Sequence, residues 1–174
     1  MRQRTENREQ RTGLRWGCVA FLALICFRAS AQEIRLGDAR ASAGVGHVVL
    51  LSDAVQVEAG KPAVVELRFR VEPGFHINSH APKDELLIPT VLKLDAGGPV
   101  KVVGEDYQPG AAFRLQVGAG ETLDVYQGEF RVTVRMVAPK GASTLVGSLR
   151  YQACDNAACF PPRTLAVRVA VTGR

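Results

Sequence analysis

The 174-residue chain lacks any long apolar run. Its greasiest stretch, LRWGCVAFLALICF at 14–27, falls short of the ~20 residues that a membrane-spanning helix needs. No segment carries a convincing amphipathic helical pattern, and no internal repeat or low-complexity tract stands out. Methionine is scarce: apart from Met1 there is only Met136, which argues against a copper carrier built on Met-rich clusters. The short apolar run follows an Arg-rich start and precedes Ala29-Ser30-Ala31, the arrangement of a secretory signal peptide cut after Ala31. A lipoprotein modification at Cys26 is disfavoured by Ile25 before it, and a retained N-terminal anchor is the minority alternative. The leader holds six Arg and two Glu, a net +4 of the chain's +5, so the mature part is left near +1. Without a basic surplus there is no case for nucleic acid as a partner.

Cysteine thins out in the same way. Of four, Cys18 and Cys26 lie in the leader, and the mature chain keeps only Cys154 and Cys159. An exported protein with a single pair is expected to hold it joined for at least part of its life.

What remains is patterned for strands. Residues 32–46 read as a flexible lead-in, and 47–174 as one domain. In AVVELRFRV (63–71), Val65, Leu67, Phe69 and Val71 alternate with Glu66, Arg68 and Arg70, which is the period of a half-buried strand. Further strand-like runs occupy 47–57, 75–80, 87–94, 100–105, 111–117, 129–138, 143–153 and 164–172, divided by Gly and Pro. Pro89 points to an edge or a bulge. Eight or nine short strands at turn spacing predict an all-β, immunoglobulin-like antiparallel β-sandwich. The stretch 104–128 is loop-rich.

The chemistry concentrates in YQACDNAACFPP (151–162), where three readings compete. A fixed disulfide across so small a ring constrains the unfolded chain by only about 2 kcal/mol, and a domain of this size does not need it. A zinc site would recruit His76 and His80, but in an extended stretch these lie ~13 Å apart. A reversible switch is the third reading: a strand leads into Cys154, Asp155-Asn156 turns the chain, and Cys159 opens the return. A cysteine on each arm of a hairpin tip is open to the in-line approach that thiol–disulfide exchange requires.

Two stretches, PGFHINSHAPKDELLIPT (73–90) and LRYQACDNAACFPP (149–162), resemble the N-terminal periplasmic domain of the thiol:disulfide interchange protein DsbD. The likeness extends over about 45–172. It implies a sandwich whose Cys154–Cys159 pair cycles between dithiol and disulfide, with no cofactor and no metal. Electrons would come from a membrane thiol reductase and pass to thioredoxin-like or disulfide-isomerase proteins, some serving cytochrome c maturation, in the periplasm. The resemblance makes Cys159 the sulfur that forms mixed disulfides and Cys154 the one that resolves them. It places His76 and Asn78 beside the pair, on one strand face. It sets a covering loop within 104–126, where Tyr107, Phe113 or Tyr126 would shield the sulfurs. Family members continue into a membrane domain and a C-x-x-C domain that this chain lacks, so the donor is expected on a separate polypeptide. Asp155, inside the ring, is expected to disfavour a thiolate at Cys154 and leave the thiol pKa ordinary or raised. The competing class is a secreted, non-catalytic β-sandwich binding module with a fixed disulfide.

Overall fold

A computed structural model describes residues 46–115 and 121–174; the expected leader and lead-in lie outside the described residues. The strands are β1 (Val48–Leu50), β2 (Ala54–Val57), β3 (Pro62–Val71), β4 (His76–Asn78), β5 (Val91–Leu94) and β6 (Lys101–Tyr107). They continue with β7 (Ala111–Arg114), β8 (Thr122–Tyr126), β9 (Glu129–Val137), β10 (Gly141–Tyr151), β11 (Ala153–Cys154) and β12 (Arg163–Gly173). No helix occurs among the described residues.

Two four-stranded sheets, β1-β3-β9-β6 and β2-β12-β10-β5, enclose a single core. The alternation in sequence does this directly. Leu67 and Phe69 of β3, Val132 and Val134 of β9, Leu145 and Leu149 of β10, and Val167 and Val169 of β12 are all at most 1% exposed. The intervening residues face outward and pair across strands, as in Arg68–Glu129 at 2.6 Å and Arg131–Glu66 at 3.2 Å. All pairings in these sheets are antiparallel except β2 with β12. The all-β immunoglobulin-like sandwich is therefore as expected.

Several boundaries differ from expectation. The run 47–57 is two strands, not one: β1 joins the first sheet, and the chain then crosses to place β2 in the second. Pro89 precedes β5 rather than sitting in it; residues 79–90 form a loop. TLDVY (122–126), read as loop, is the strand β8, held on one side by β4 and on the other by β7. Its pattern is too short to stand out between Gly-rich neighbours, and pairing on both edges supplies what the pattern lacks. These strands complete a third sheet, β11-β4-β8-β7.

Candidate functional site

The third sheet carries both cysteines' surroundings, and its two faces differ. β10 runs antiparallel to β12 as far as the pair Tyr151 and Arg163. At Gln152 the chain leaves that ladder, and β11 pairs with β4 instead. Gln152 Nε2 donates to the Phe160 carbonyl at 3.0 Å, tying the departing arm to the returning one. Ala153 is opposite Ile77, and Ile77 is opposite Tyr126. These three belong to the sandwich core. Because side chains alternate across a strand, the other face of the sheet shows His76, Asn78, Cys154, Leu123, Val125 and Phe113. The register places Cys154 directly opposite His76, Asn78 opposite Val125, and Leu123 opposite Phe113.

Cys154 and Cys159 are joined in a disulfide and face each other in an antiparallel bridge. His76, Cys154 and Cys159 are thus three neighbours along one rung. The tip between the cysteines is a tight turn. Asp155 N donates to Ala158 O at 3.0 Å, and Asp155 Oδ1 accepts from the amides of Ala157 and Ala158, both at 2.7 Å. These amide bonds hold the Asp155 carboxyl below its ordinary pKa, so it stays ionised. That charge was expected to disfavour a Cys154 thiolate; its first commitment is to the turn's own backbone.

The two sulfur-bearing residues differ in exposure. Cys154 is 2% exposed, whereas Cys159 lies at the surface. A cleft of about 240 Å³ opens beside the pair, lined by His76, Leu87, Leu115, Leu123 and the 154–159 turn, with Glu121 at its rim. Phe113 packs on the His76 ring with centroids 4.3 Å apart. Burial pushes the His76 imidazole below its ordinary pKa, opposed by the smaller pull of the Asp155 charge. His76 Nε2 is buried without a hydrogen-bond partner.

Of the side chains expected near the sulfurs, His76 lines the cleft beside them and Phe113 packs on the His76 ring. Neither His76 nor Asn78 lies on a solvated face; each is 1% exposed, His76 against Phe113 of β7 and Asn78 against Ile88 of the 79–90 loop. Asn78 acts on that loop: its Nδ2 donates to Ile88 O at 3.0 Å, and its backbone carbonyl accepts from Thr90 Oγ1 at 2.6 Å. Tyr107 and Tyr126 do not cover the pair. Tyr107 lies on the first sheet, where its hydroxyl accepts from Leu92 N at 2.8 Å and its ring stacks on His80 at 3.6 Å. Tyr126 turns into the core against Phe130 and donates its hydroxyl to Gln108 O at 2.9 Å. His80 is likewise drawn away from His76, its Nδ1 donating to Thr90 O at 3.0 Å.

The expected cover within 104–126 divides in two. Residues 104–107 belong to the first sheet, and the hairpin from 111 to 126 lies beside the cleft; its residues 116–120 fall outside the described residues. Leu87, Leu115 and Leu123 were not anticipated. For Leu87 a signal existed, since it opens the Leu-Ile-Pro-Thr stretch.

The family model for the N-terminal region of the thiol:disulfide interchange protein DsbD matches residues 48–170. Comparison with curated proteins gives no significant match. Among solved structures, the Neisseria meningitidis DsbD N-terminal domain in its reduced form is similar at 22% identity, covering 62% of this chain and 77% of that one, with a TM-score of 0.41. A PapD-like domain of human CEP192 is similar at 13% identity, covering 74% of this chain and 85% of that one, with a TM-score of 0.33. The periplasmic chaperone SfaE is similar at 10% identity, covering 73% and 58%, with a TM-score of 0.34. At these scores the structural likenesses carry no argument, and the assignment rests on the family model.

Proposed function

The chain belongs to the family of the DsbD N-terminal domain, and from that premise we propose that its Cys154–Cys159 disulfide is a reversible carrier of reducing equivalents. The observation that supports this most is the unequal exposure of the two cysteines: a surface sulfur is bonded to a buried one. A partner thiolate reaches Cys159 Sγ. The new bond forms there, the Cys154–Cys159 bond breaks, and the electron pair leaves on Cys154 Sγ. A second thiolate from the partner then attacks the mixed disulfide at the partner's own sulfur, which frees Cys159 and leaves the dithiol here and the disulfide on the partner. Passing electrons on reverses these steps. Cys159 attacks a client disulfide, and Cys154 then closes on Cys159 and releases the reduced client.

On this reading the donor is a membrane thiol reductase. The acceptors are thioredoxin-like or disulfide-isomerase proteins, including those of cytochrome c maturation. The compartment is the periplasm, reached through the 1–31 leader. The aromatic-flanked cleft and the two covering segments limit access to thiols that can dock.

A redox titration tests the proposal. A potential of about −180 to −230 mV, near that of isomerases and glutaredoxins, supports the carrier. A value below about −300 mV supports the fixed disulfide of a non-catalytic binding module instead.

A further inference from the structure

Closing the disulfide requires Cys154 to become a thiolate in a place that offers it little water. In the mixed disulfide the partner is attached to Cys159, and Cys154 waits as a thiol. Its neighbourhood is apolar on the cleft side, through Leu87, Leu115 and Leu123. Burial of this kind raises a thiol's pKa, so the proton needs an acceptor nearby.

The groups facing this spot are few. From the turn after β11 comes Asp155, whose carboxylate is engaged by the Ala157 and Ala158 amides. From the segment before β8 comes Glu121, exposed at the rim. From the 79–90 loop, Lys83 and Asp84 line the adjoining groove beyond Leu87 and Leu123. On β7, Arg114 alternates to the face away from Phe113. From β4 comes His76, directly opposite Cys154 in the ladder. Residues so placed have Cβ atoms roughly 5 Å apart on the same face. His76 is also the group whose ring Nε2 is buried and unpaired, in a residue 1% exposed.

We infer that His76 is the proton acceptor for Cys154 in the step that closes the Cys154–Cys159 disulfide. The inference rests on the exchange reading above. His76 Nε2 takes the Cys154 proton, and the resulting thiolate attacks Cys159 Sγ. The Cys154–Cys159 bond forms, the Cys159–partner bond breaks, and the electron pair departs on the partner's sulfur. The imidazolium then returns its proton to that thiolate or to water. In the opening direction the same nitrogen first takes up a proton from the partner's thiol or from water, and then hands it to the departing Cys154 thiolate. Burial suits the imidazole to the first role, because it keeps the ring neutral at pH 7 and therefore able to accept.

The test uses the reduced full chain carrying Cys18→Ser and Cys26→Ser, so that Cys154 and Cys159 are its only thiols, and 5,5′-dithiobis(2-nitrobenzoate). Attack by Cys159 releases one thionitrobenzoate, and closure by Cys154 releases the second. In the wild type the second release should hold a plateau around neutral pH and fall in acid as the imidazole protonates. In His76→Phe, which keeps a ring against Phe113, closure should be at least about tenfold slower at pH 7. It should then climb with pH through the ordinary thiol range near ~8.5, while the first release keeps its rate. In His76→Ala, added imidazole should restore closure.

A wild-type profile that rises steadily to the thiol range without a plateau overturns the inference before any variant is made. So does a His76→Phe protein that closes at the wild-type rate, or slowing that neither pH nor imidazole relieves. Failure of the first release sinks the exchange reading itself. Normal first release with unaltered closure in the variants sinks only the role of His76.

Discussion

Separating the two sulfurs gives the most direct test of how the site works. With Cys18 and Cys26 replaced by Ser, Cys154→Ala leaves only the surface thiol and Cys159→Ala only the buried one. Alkylation of Cys154 requires β11 to lift from β4. That breaks a two-residue ladder, about two backbone hydrogen bonds at roughly 1 kcal/mol each. It also exposes the Cys154 side chain and part of the leucine lining, another ~1–2 kcal/mol. An opening cost of about 3–4 kcal/mol slows labelling by two to three orders of magnitude, at ~1.4 kcal/mol per decade. The assay is the rate of iodoacetamide labelling of each variant across pH, corrected for the thiolate fraction. Cys159 should react like a free thiol, and Cys154 at least a hundredfold more slowly. The same pair of variants should trap a docking thiol protein through Cys159 alone. Corrected rates within about threefold of each other, or in the reverse order, would refute the argument that exposure decides the order of attack.

Three further outcomes follow from the same geometry. Reducing the disulfide removes a cross-link with a sequence separation of 5. Such a ring contributes only about 2 kcal/mol, so calorimetry should show the dithiol protein still folded, with a melting temperature several degrees lower; a reduced form unfolded at 25 °C would contradict this. His76 is lowered from 6.5 by burial, so the unfolded chain takes up a proton that the folded one refuses. Stability should therefore fall as pH drops below ~6.5 toward the lowered value, and His76→Phe should flatten that window in urea titrations; Asp155, lowered from 3.8, adds its loss separately at more acid pH. Tyr107→Phe removes the hydroxyl that accepts from Leu92 N, and should cost about 1–2 kcal/mol in denaturant unfolding while leaving the rate of disulfide exchange unchanged.

Much was legible in the sequence because it depends on local periodicity. Val65, Leu67, Phe69 and Val71 declare one inward face, and β9 and β12 repeat the pattern, so the sandwich follows from alternation and turn spacing alone. The cysteine pair and its turn were equally plain, since Cys154 and Cys159 are close along the chain whatever the rest does. Only the tertiary structure decided that Cys154 is shut in while Cys159 is open, that Tyr107 and Tyr126 belong to other parts of the fold, and that Leu87 reaches the cleft. The burial of Cys154 and the inward turn of Tyr126 follow the register of β4 between β11 and β8, and Tyr107 is placed by the pairing of β6 with β9; both join segments tens of residues apart. A side chain's face in a short strand such as β4 is set by which partners pair with it, and pairing across that distance leaves no period for a sequence to display.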